Sequence, residues 1–284
     1  MSSVKSNVQR EVLRSFIDLT VKLTVRCTSQ ERPDDDDMAE DRGTDKVRVG
    51  TGCIWHVREP GYNMPCFCCN CNGKITRKQW RFEIVTAKHV VYNTEEAKKT
   101  KIDLFYDDES CQKDGRMKTL WGLGVEIELC FPDKDVCNML CVTCDEDLGE
   151  RIQYAWRCRL DKLNRQQLSD LGLQQSCNKD SHPVLIVSHP HGQAKKISMG
   201  NLRYAYRNPH VEYNTPTCPG SSGAPVFGFY TVDYFWWVSP VHSGSFGTTF
   251  TERSRELNFF KRLFYKYVGH KTAHEQINFG FDWW

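Results

Sequence analysis

The chain lacks three features that often reveal a protein's class before any motif is considered. It has little net charge, since 38 Lys and Arg oppose 36 Asp and Glu in 284 residues, and this gives no electrostatic case for nucleic acid or an anionic membrane as a partner. No apolar run approaches the ~18 residues of a transmembrane helix. Charged residues interrupt the first 23 positions, which excludes the apolar core of a signal peptide. We therefore expect a cytoplasmic protein that binds neither nucleic acid nor membranes.

Cysteine, by contrast, is abundant, with 14 residues. Without an export signal, these side chains are expected to be reduced thiols or metal ligands instead of disulfides. Four fall within six positions, namely Cys66, Cys68, Cys69 and Cys71. A second group, Cys137, Cys141 and Cys144, has C-x3-C-x2-C spacing. The first group is a candidate for structural zinc, but the usual pair of separated C-x2-C knuckles is absent, so a loop of free thiols stays an open alternative.

The pattern of apolar residues predicts a mainly β protein with a helix near each end. Helical spacing of apolar residues predicts a short amphipathic helix over 4–19 and another over 253–267. Alternation over 20–28 is typical of a strand. The segment 33–41, with four consecutive aspartates, has nothing to bury and is predicted to be a solvated loop.

A glycine- and serine-rich segment at 217–227, T-C-P-G-S-S-G-A-P-V-F, carries the strongest chemical signal. A serine hydroxyl becomes a useful nucleophile when a sharp turn presents its oxygen and aims nearby N–H groups at one point. Gly220 and Gly223 permit such a turn because they have no Cβ to clash. The alternative is an ordinary turn between two strands.

A histidine follows a predicted strand upstream of that segment. Residues 50–55 read G-T-G-C-I-W and residues 86–91 read T-A-K-H-V-V, which places His89 directly after the second strand. A polar, cysteine-rich insertion, 58–78, separates the two. Imidazole, with an unperturbed pKa of about 6.5, can take a proton from a serine near neutral pH.

These motifs resemble those of trypsin-like (chymotrypsin-fold) serine peptidases, which have G-x-S-G-x-P-[VL], G-[ST]-G-F and T-A-x-H in the same roles. The resemblance implies two antiparallel six-stranded β-barrels with the site in the cleft between them. It makes Ser222 the nucleophile and His89 the general base, and it forms the oxyanion hole from the N–H groups of Gly220 and Ser222. The implied reaction is hydrolysis of peptide bonds in a peptide or protein substrate, with no cofactor required.

The resemblance also requires a carboxylate that orients the histidine. The family places this acid in D-[LIV]-[AG] at the start of a strand, and the best match is Asp147, followed by Leu148 and Gly149. Asp145 is the second choice. The order His, Asp, Ser along the chain is that of chymotrypsin-like enzymes.

A specificity pocket is implied by the segment 241–245, V-H-S-G-S. The resemblance makes this segment the wall of the pocket and a strand that pairs with substrate. A histidine at 242 and a threonine at 217 occur at the same offsets in glutamyl endopeptidases and picornaviral cysteine peptidases, which cleave after Glu or Gln. Thr217, His242, Ser243 and Gly244 are therefore the candidate substrate-binding residues. Alternatively, His242 is a core residue of a strand.

The resemblance covers about residues 20–250. The predicted parts are an N-terminal helix (1–19), a first barrel (20–156), a connection (157–180), a second barrel (181–250), and a C-terminal helix and tail (251–284). The function implied is that of a serine endopeptidase. Two other hypotheses stay open, an inactive trypsin-like domain used as a binding module and a protein regulated through its cysteines by metal or redox state.

Overall fold

Antiparallel strands make up most of the described chain. The computed structural model describes residues 2–68, 70–71, 73–125, 135–162, 182–204, 210–228, 241–246 and 277–281. The mainly β class predicted from the sequence is confirmed, and the strands form two sheets.

The first sheet contains a closed six-stranded barrel. Its strands are β1 (Thr20–Val25), β2 (Arg48–Val57), β3 (Gly61–Pro65), β4 (Ile75–Thr86), β5 (Thr100–Leu104), β6 (Lys118–Val125) and β7 (Cys137–Thr143). Their order is β2-β1-β5-β6-β7-β4-β3, and β2 also pairs with β4, which closes the barrel. The hairpin strand β3 extends the sheet beside the first half of β4.

The second sheet has six described strands. They are β8 (His182–Ser188), β9 (Lys196–Tyr204), β10 (His210–Tyr213), β11 (Val226–Gly228), β12 (Val241–Phe246) and β13 (Ile277–Phe281), in the order β11-β8-β9-β10-β13-β12. A single bridge between Pro225 and Val241 links its two ends. Because β13 lies beyond residue 250, this sheet includes residues that the sequence assigned to a C-terminal tail. The helix predicted over 253–267 lies outside the described residues.

Three α-helices flank the sheets in the described chain: α1 (Ser2–Leu19), α2 (Thr94–Lys98) and α3 (Glu146–Lys162). The first matches the predicted N-terminal helix. It packs against α3 and places Phe16 on Phe227 of the second sheet, with ring centroids 3.7 Å apart. No helix in the described parts of the chain is both long and apolar enough to cross a membrane.

Alternation along β1 shows why the barrel forms. Val21, Leu23 and Val25 are fully buried and alternate with less buried polar residues. Burying such a side chain contributes about 1.5–3 kcal/mol. The second sheet has its own smaller apolar cluster around Tyr213 and Val226. The two sheets meet where the Thr51 N–H on β2 donates to the carbonyl of Ser222, at 2.8 Å.

Candidate active site

His89 stands on a tight turn directly after β4. The strand ends at Thr86, and the N–H groups of Val90 and Val91 both donate to the carbonyl of Ala87, at 3.0 and 3.2 Å. This turn leaves the His89 side chain 33% exposed. The imidazole is therefore accessible from solvent.

Asp135 holds His89 through both of its carboxylate oxygens. The backbone N–H of His89 donates to Oδ1 at 2.8 Å, and the imidazole Nδ1 donates to Oδ2 at 2.6 Å. Ser243 of β12 donates its hydroxyl to the same Oδ2. Since Nδ1 carries a proton toward the carboxylate, Nε2 of a neutral His89 is the ring nitrogen with a lone pair that can accept a proton.

The environment keeps the Asp135 carboxylate ionised. Burial by itself would raise its pKa, but the nearby charge of His89 and the hydrogen bonds from His89 and Ser243 outweigh that effect and hold the pKa below its ordinary value of 3.8. An ionised carboxylate at this position stabilises the imidazolium that forms when His89 accepts a proton.

The prediction that Asp147 orients His89 is wrong, and the strand register explains why. Thr86 at the end of β4 pairs with Cys137 at the start of β7, so Asp135, two residues before Cys137, lies beside the turn after β4. Asp147 comes after the other end of β7, in the first turn of α3. Asp145, the second choice, instead accepts a hydrogen bond from the Leu148 N–H at the start of that helix, at 3.0 Å.

A weak signal for Asp135 was present in the sequence. Asp135-Val136-Cys137 differs from the D-[LIV]-[AG] pattern at its third position, where cysteine replaces alanine or glycine. Asp135 lies two residues before the first residue of a strand, as the pattern requires an acid at the start of one, whereas Asp147 is the second residue of a helix. The sequence match at Asp147 was closer, but its structural setting was not that of the motif.

A buried ion pair, which the sequence did not indicate, contacts the backbone of the His89 turn. Arg32 is 1% exposed; its guanidinium donates to both carboxylate oxygens of Glu96 at 2.7 and 2.8 Å, and to the carbonyl of His89 at 3.1 Å. Glu96 also accepts from the N–H of Tyr92 at 2.8 Å. The aspartate-rich loop takes part, since Asp36 accepts from Arg32 at 3.0 Å and is not merely solvated.

The serine-rich segment is a turn that glycine makes possible. Gly220 has φ +93° and Gly223 has φ +85°, conformations that favour glycine. A Cβ on Gly223 would lie 2.1 Å from the Thr51 carbonyl and from the Thr86 hydroxyl, and 3.0 Å from the Ala87 nitrogen. The turn therefore packs against the end of β4. This contact places Ser222, the residue before Gly223, near the turn that carries His89.

The two adjacent serines have different environments. Ser221 is fully buried, and its hydroxyl is 3.1 Å from the hydroxyl of Ser188. Ser222 is partly exposed. Of the pair, Ser222 is therefore the one that a molecule in the surrounding solvent can contact.

Along the turn, backbone N–H groups that donate a backbone hydrogen bond alternate with N–H groups that do not. The N–H of Ser221 donates to the backbone carbonyl of Cys218 at 2.9 Å, and that of Gly223 donates to the backbone carbonyl of His242 at 2.7 Å. Within the described residues, the N–H groups of Gly220 and Ser222 make no such bond. Two uncommitted donors on one tight turn are suited to bind a developing negative charge on oxygen.

His242, predicted to line the pocket, is 3% exposed on β12, and its Nδ1 lies 2.7 Å from the hydroxyl of Tyr213. Burial first, and then the nearby charge of His89, lower its pKa to about 3. Its imidazole is therefore neutral near pH 7. Tyr213 was not among the residues chosen from the sequence.

The remaining pocket candidates, Thr217, Ser243 and Gly244, have different surroundings. Ser243 donates to Asp135, as described above, and so belongs to the His89 side of the site. Gly244 pairs with Phe279 of β13 across an irregularity in the register. Thr217 is partly exposed and precedes the turn.

A separate cluster of four cysteines could hold a metal ion. The Sγ atoms of Cys66, Cys68, Cys71 and Cys144 all lie within 4.8 Å of one another. Three belong to the group singled out in the sequence, and Cys144 comes from the second group. Cys69, also a candidate, lies outside the described residues.

Comparison with known proteins gives structural matches and no sequence match. No family model matches the chain, and no curated protein does. The structure is similar to that of a serine endoprotease from Yersinia pestis, with 11% identity and a TM-score of 0.41, over 84% of this chain and 57% of that one. It is also similar to Deg5, with 11% identity and a TM-score of 0.39, over 84% of this chain and 85% of that one.

Proposed function

We propose that the chain is a serine endopeptidase whose triad consists of His89, Asp135 and Ser222. The observation that carries this proposal is the double hydrogen bond from His89 to Asp135, made by backbone and ring together. Because Asp135 engages Nδ1, Nε2 is the ring nitrogen that exchanges a proton with the substrate and the serine, and the neighbouring turn holds Ser222, which is partly exposed.

The proposed reaction is acyl transfer in two halves. Ser222 Oγ attacks the peptide carbonyl while His89 Nε2 takes the hydroxyl proton, and the N–H groups of Gly220 and Ser222 donate to the oxyanion. His89 then returns the proton to the leaving amine. A water molecule repeats the sequence on the acyl-enzyme, which releases the acid and restores Ser222. Apart from the substrate and this water, every group that takes part belongs to the protein, so the proposed reaction requires no cofactor.

We expect a fluorophosphonate probe to label the wild-type chain on Ser222, because such probes react with serine hydroxyls that a neighbouring base activates. The measurement is labelling of the purified chain followed by mass spectrometry to locate the adduct. His89→Ala should abolish labelling while the protein stays folded by circular dichroism.

Two outcomes would reject this proposal. Folded wild type that never reacts with the probe would favour the inactive binding module instead. Labelling of equal extent in wild type and His89→Ala would show that His89 does not activate the serine.

For specificity, the surroundings of His242 favour glutamine before the cleaved bond. If the Tyr213 hydroxyl donates to Nδ1, then Nε2 of His242 carries the proton and becomes a donor. Because its pKa of about 3 keeps this imidazole neutral near pH 7, it can satisfy an amide carbonyl, whereas a buried carboxylate would lack a compensating charge. Thr217 would supply a second donor, and the backbone of β12 near Gly244 would pair with the substrate as an added strand.

We therefore expect matched peptides to be cleaved in the order Gln, Glu, Leu at this position, with Gln preferred over Leu by at least about 10-fold in kcat/KM, the equivalent of one good hydrogen bond. Tyr213→Phe should lower the Gln preference about 10-fold, and Thr217→Val should lower it by a smaller factor. Labelling by a small fluorophosphonate, which does not fill the pocket, serves as the control and should be unchanged. Equal rates for Gln and Leu peptides would contradict this assignment.

A further inference from the structure

The four-cysteine cluster is built by a loop and by the end of a distant strand. Cys66, Cys68 and Cys71 lie in the loop between β3 and β4, with C-x-C-x2-C spacing. Cys144 follows the last residue of β7, 73 positions after Cys71. Because Thr143 pairs with Trp80 of β4, the end of β7 is brought to the same side as the loop.

The sulfur atoms are spaced for a shared ion and not for disulfides. Cys144 Sγ lies 3.2 Å from Cys71 Sγ and 3.7 Å from Cys68 Sγ. A disulfide would require about 2.05 Å. Four sulfurs at about 2.3 Å from a tetrahedral zinc ion are separated from one another by about 3.8 Å. The observed separations, all within 4.8 Å, need small adjustments to reach that value.

The loop backbone is folded so that its three thiols converge. Four backbone hydrogen bonds close the loop. The N–H of Cys71 donates to the carbonyl of Cys68 at 3.1 Å, that of Gly73 to the carbonyl of Cys66 at 2.7 Å, and that of Lys74 to the carbonyl of Cys71 at 3.0 Å. The N–H of Cys66 donates to the carbonyl of Lys74 at 2.9 Å. Gly73, with φ +84°, permits the tight return of the chain. Cys66 and Cys68 are buried as a result. This backbone closure is independent of the sulfur distances.

We propose that Cys66, Cys68, Cys71 and Cys144 bind one structural zinc ion as four thiolates. Four thiolates in a tetrahedral arrangement are a typical zinc ligand set, and they leave no open coordination position for a substrate or water. Binding releases the thiol protons to solvent and changes no oxidation state. The ion joins the β3–β4 loop to the junction between β7 and α3.

This site lies away from the proposed catalytic residues and does not depend on them. The β4–β7 ladder runs from Thr86 and Cys137 beside the triad to Trp80 and Thr143 beside the cysteines. The two ends of this ladder are six residues apart on each strand, which corresponds to roughly 20 Å along the strands. Loss of zinc is therefore expected to lower the stability of the protein. Zinc-free protein that remains folded is expected to keep its reactivity toward a fluorophosphonate.

The test is metal analysis of the full chain, purified with reductant and without chelator. We expect about one zinc per chain. Cys144→Ser should weaken zinc binding, measured by competition with a chromophoric chelator, by more than the ~10–100-fold typical of losing an outer-shell contact. Cys158→Ser, a partly exposed cysteine of α3 outside the cluster, is the matched control and should retain wild-type affinity.

Cobalt substitution gives a second readout. Co²⁺ in a four-thiolate site shows intense thiolate-to-metal charge-transfer bands, and Cys144→His, which keeps a ligand at that position, should bind Co²⁺ with about a quarter of that intensity lost. This variant keeps the proposal testable if Cys144→Ser does not fold.

Three results would overturn the zinc site. They are the absence of zinc uptake by the fully reduced wild-type chain, equal zinc affinity in the Cys144 and Cys158 serine variants, and iron as the metal bound in place of zinc. None of these results would affect the proposed triad, because the probe labelling tests that separately.

Discussion

Ser222→Ala is expected to lower kcat for peptide hydrolysis by about 10⁶-fold, since removing the nucleophile removes the covalent step that the other triad residues assist. The measurement is the initial rate on a fluorogenic peptide that the wild type cleaves. The variant should keep its fold, because the structural bond made by Ser222 uses its backbone carbonyl, which accepts from Thr51.

The adjacent serine provides the matched control. Ser221→Ala removes a buried hydroxyl that bonds to Ser188, so it should cost about 1 kcal/mol of stability and change kcat by less than about 10-fold. If Ser221→Ala were the inactive variant and Ser222→Ala the active one, the nucleophile would be wrongly assigned.

Asp135→Asn is expected to lower kcat by about 10⁴-fold. An asparagine of the same shape can hold the His89 ring but presents an amide that favours the wrong tautomer, and it supplies no charge to stabilise the imidazolium. The rate should be compared at a pH near 7, where the Asp135 carboxylate of the wild type, with its depressed pKa, is fully ionised.

Asp147→Asn tests the competing assignment directly. Asp147 lies in the first turn of α3, past the end of β7 that is opposite His89, so its loss should leave kcat within about 2-fold and cost a few tenths of a kcal/mol through the helix dipole. A large loss of activity in Asp147→Asn together with an active Asp135→Asn would contradict the hydrogen-bond geometry described above.

Local sequence was sufficient for the elements whose cause is local. Alternation predicted strands such as β1, and helical spacing predicted α1, because burial of one face requires those periods. The glycines around Ser222 indicated a sharp turn because positive φ favours glycine. The T-A-x-H and G-x-S-G motifs therefore picked out His89 and Ser222, whose turns the structure brings next to each other.

Other features depended on pairing between distant segments. Asp135 lies beside His89 because β4 and β7 pair in one register out of several that their composition allows. The same register carries Cys144 to the β3–β4 loop, where the sequence pattern had indicated Cys69 as the fourth ligand. Arg32 directly precedes the segment predicted to be a solvated loop, and the structure buries it against Glu96, next to His89.

The sequence by itself determined the strand-rich class, the general base and nucleophile candidates, and the cysteine-rich loop, since each is encoded within about a dozen consecutive residues. The tertiary structure decided which carboxylate serves His89, which tyrosine contacts His242 and which cysteine completes the cluster. These partners are separated by tens of residues, and their contacts follow from strand register and burial, which no local pattern specifies.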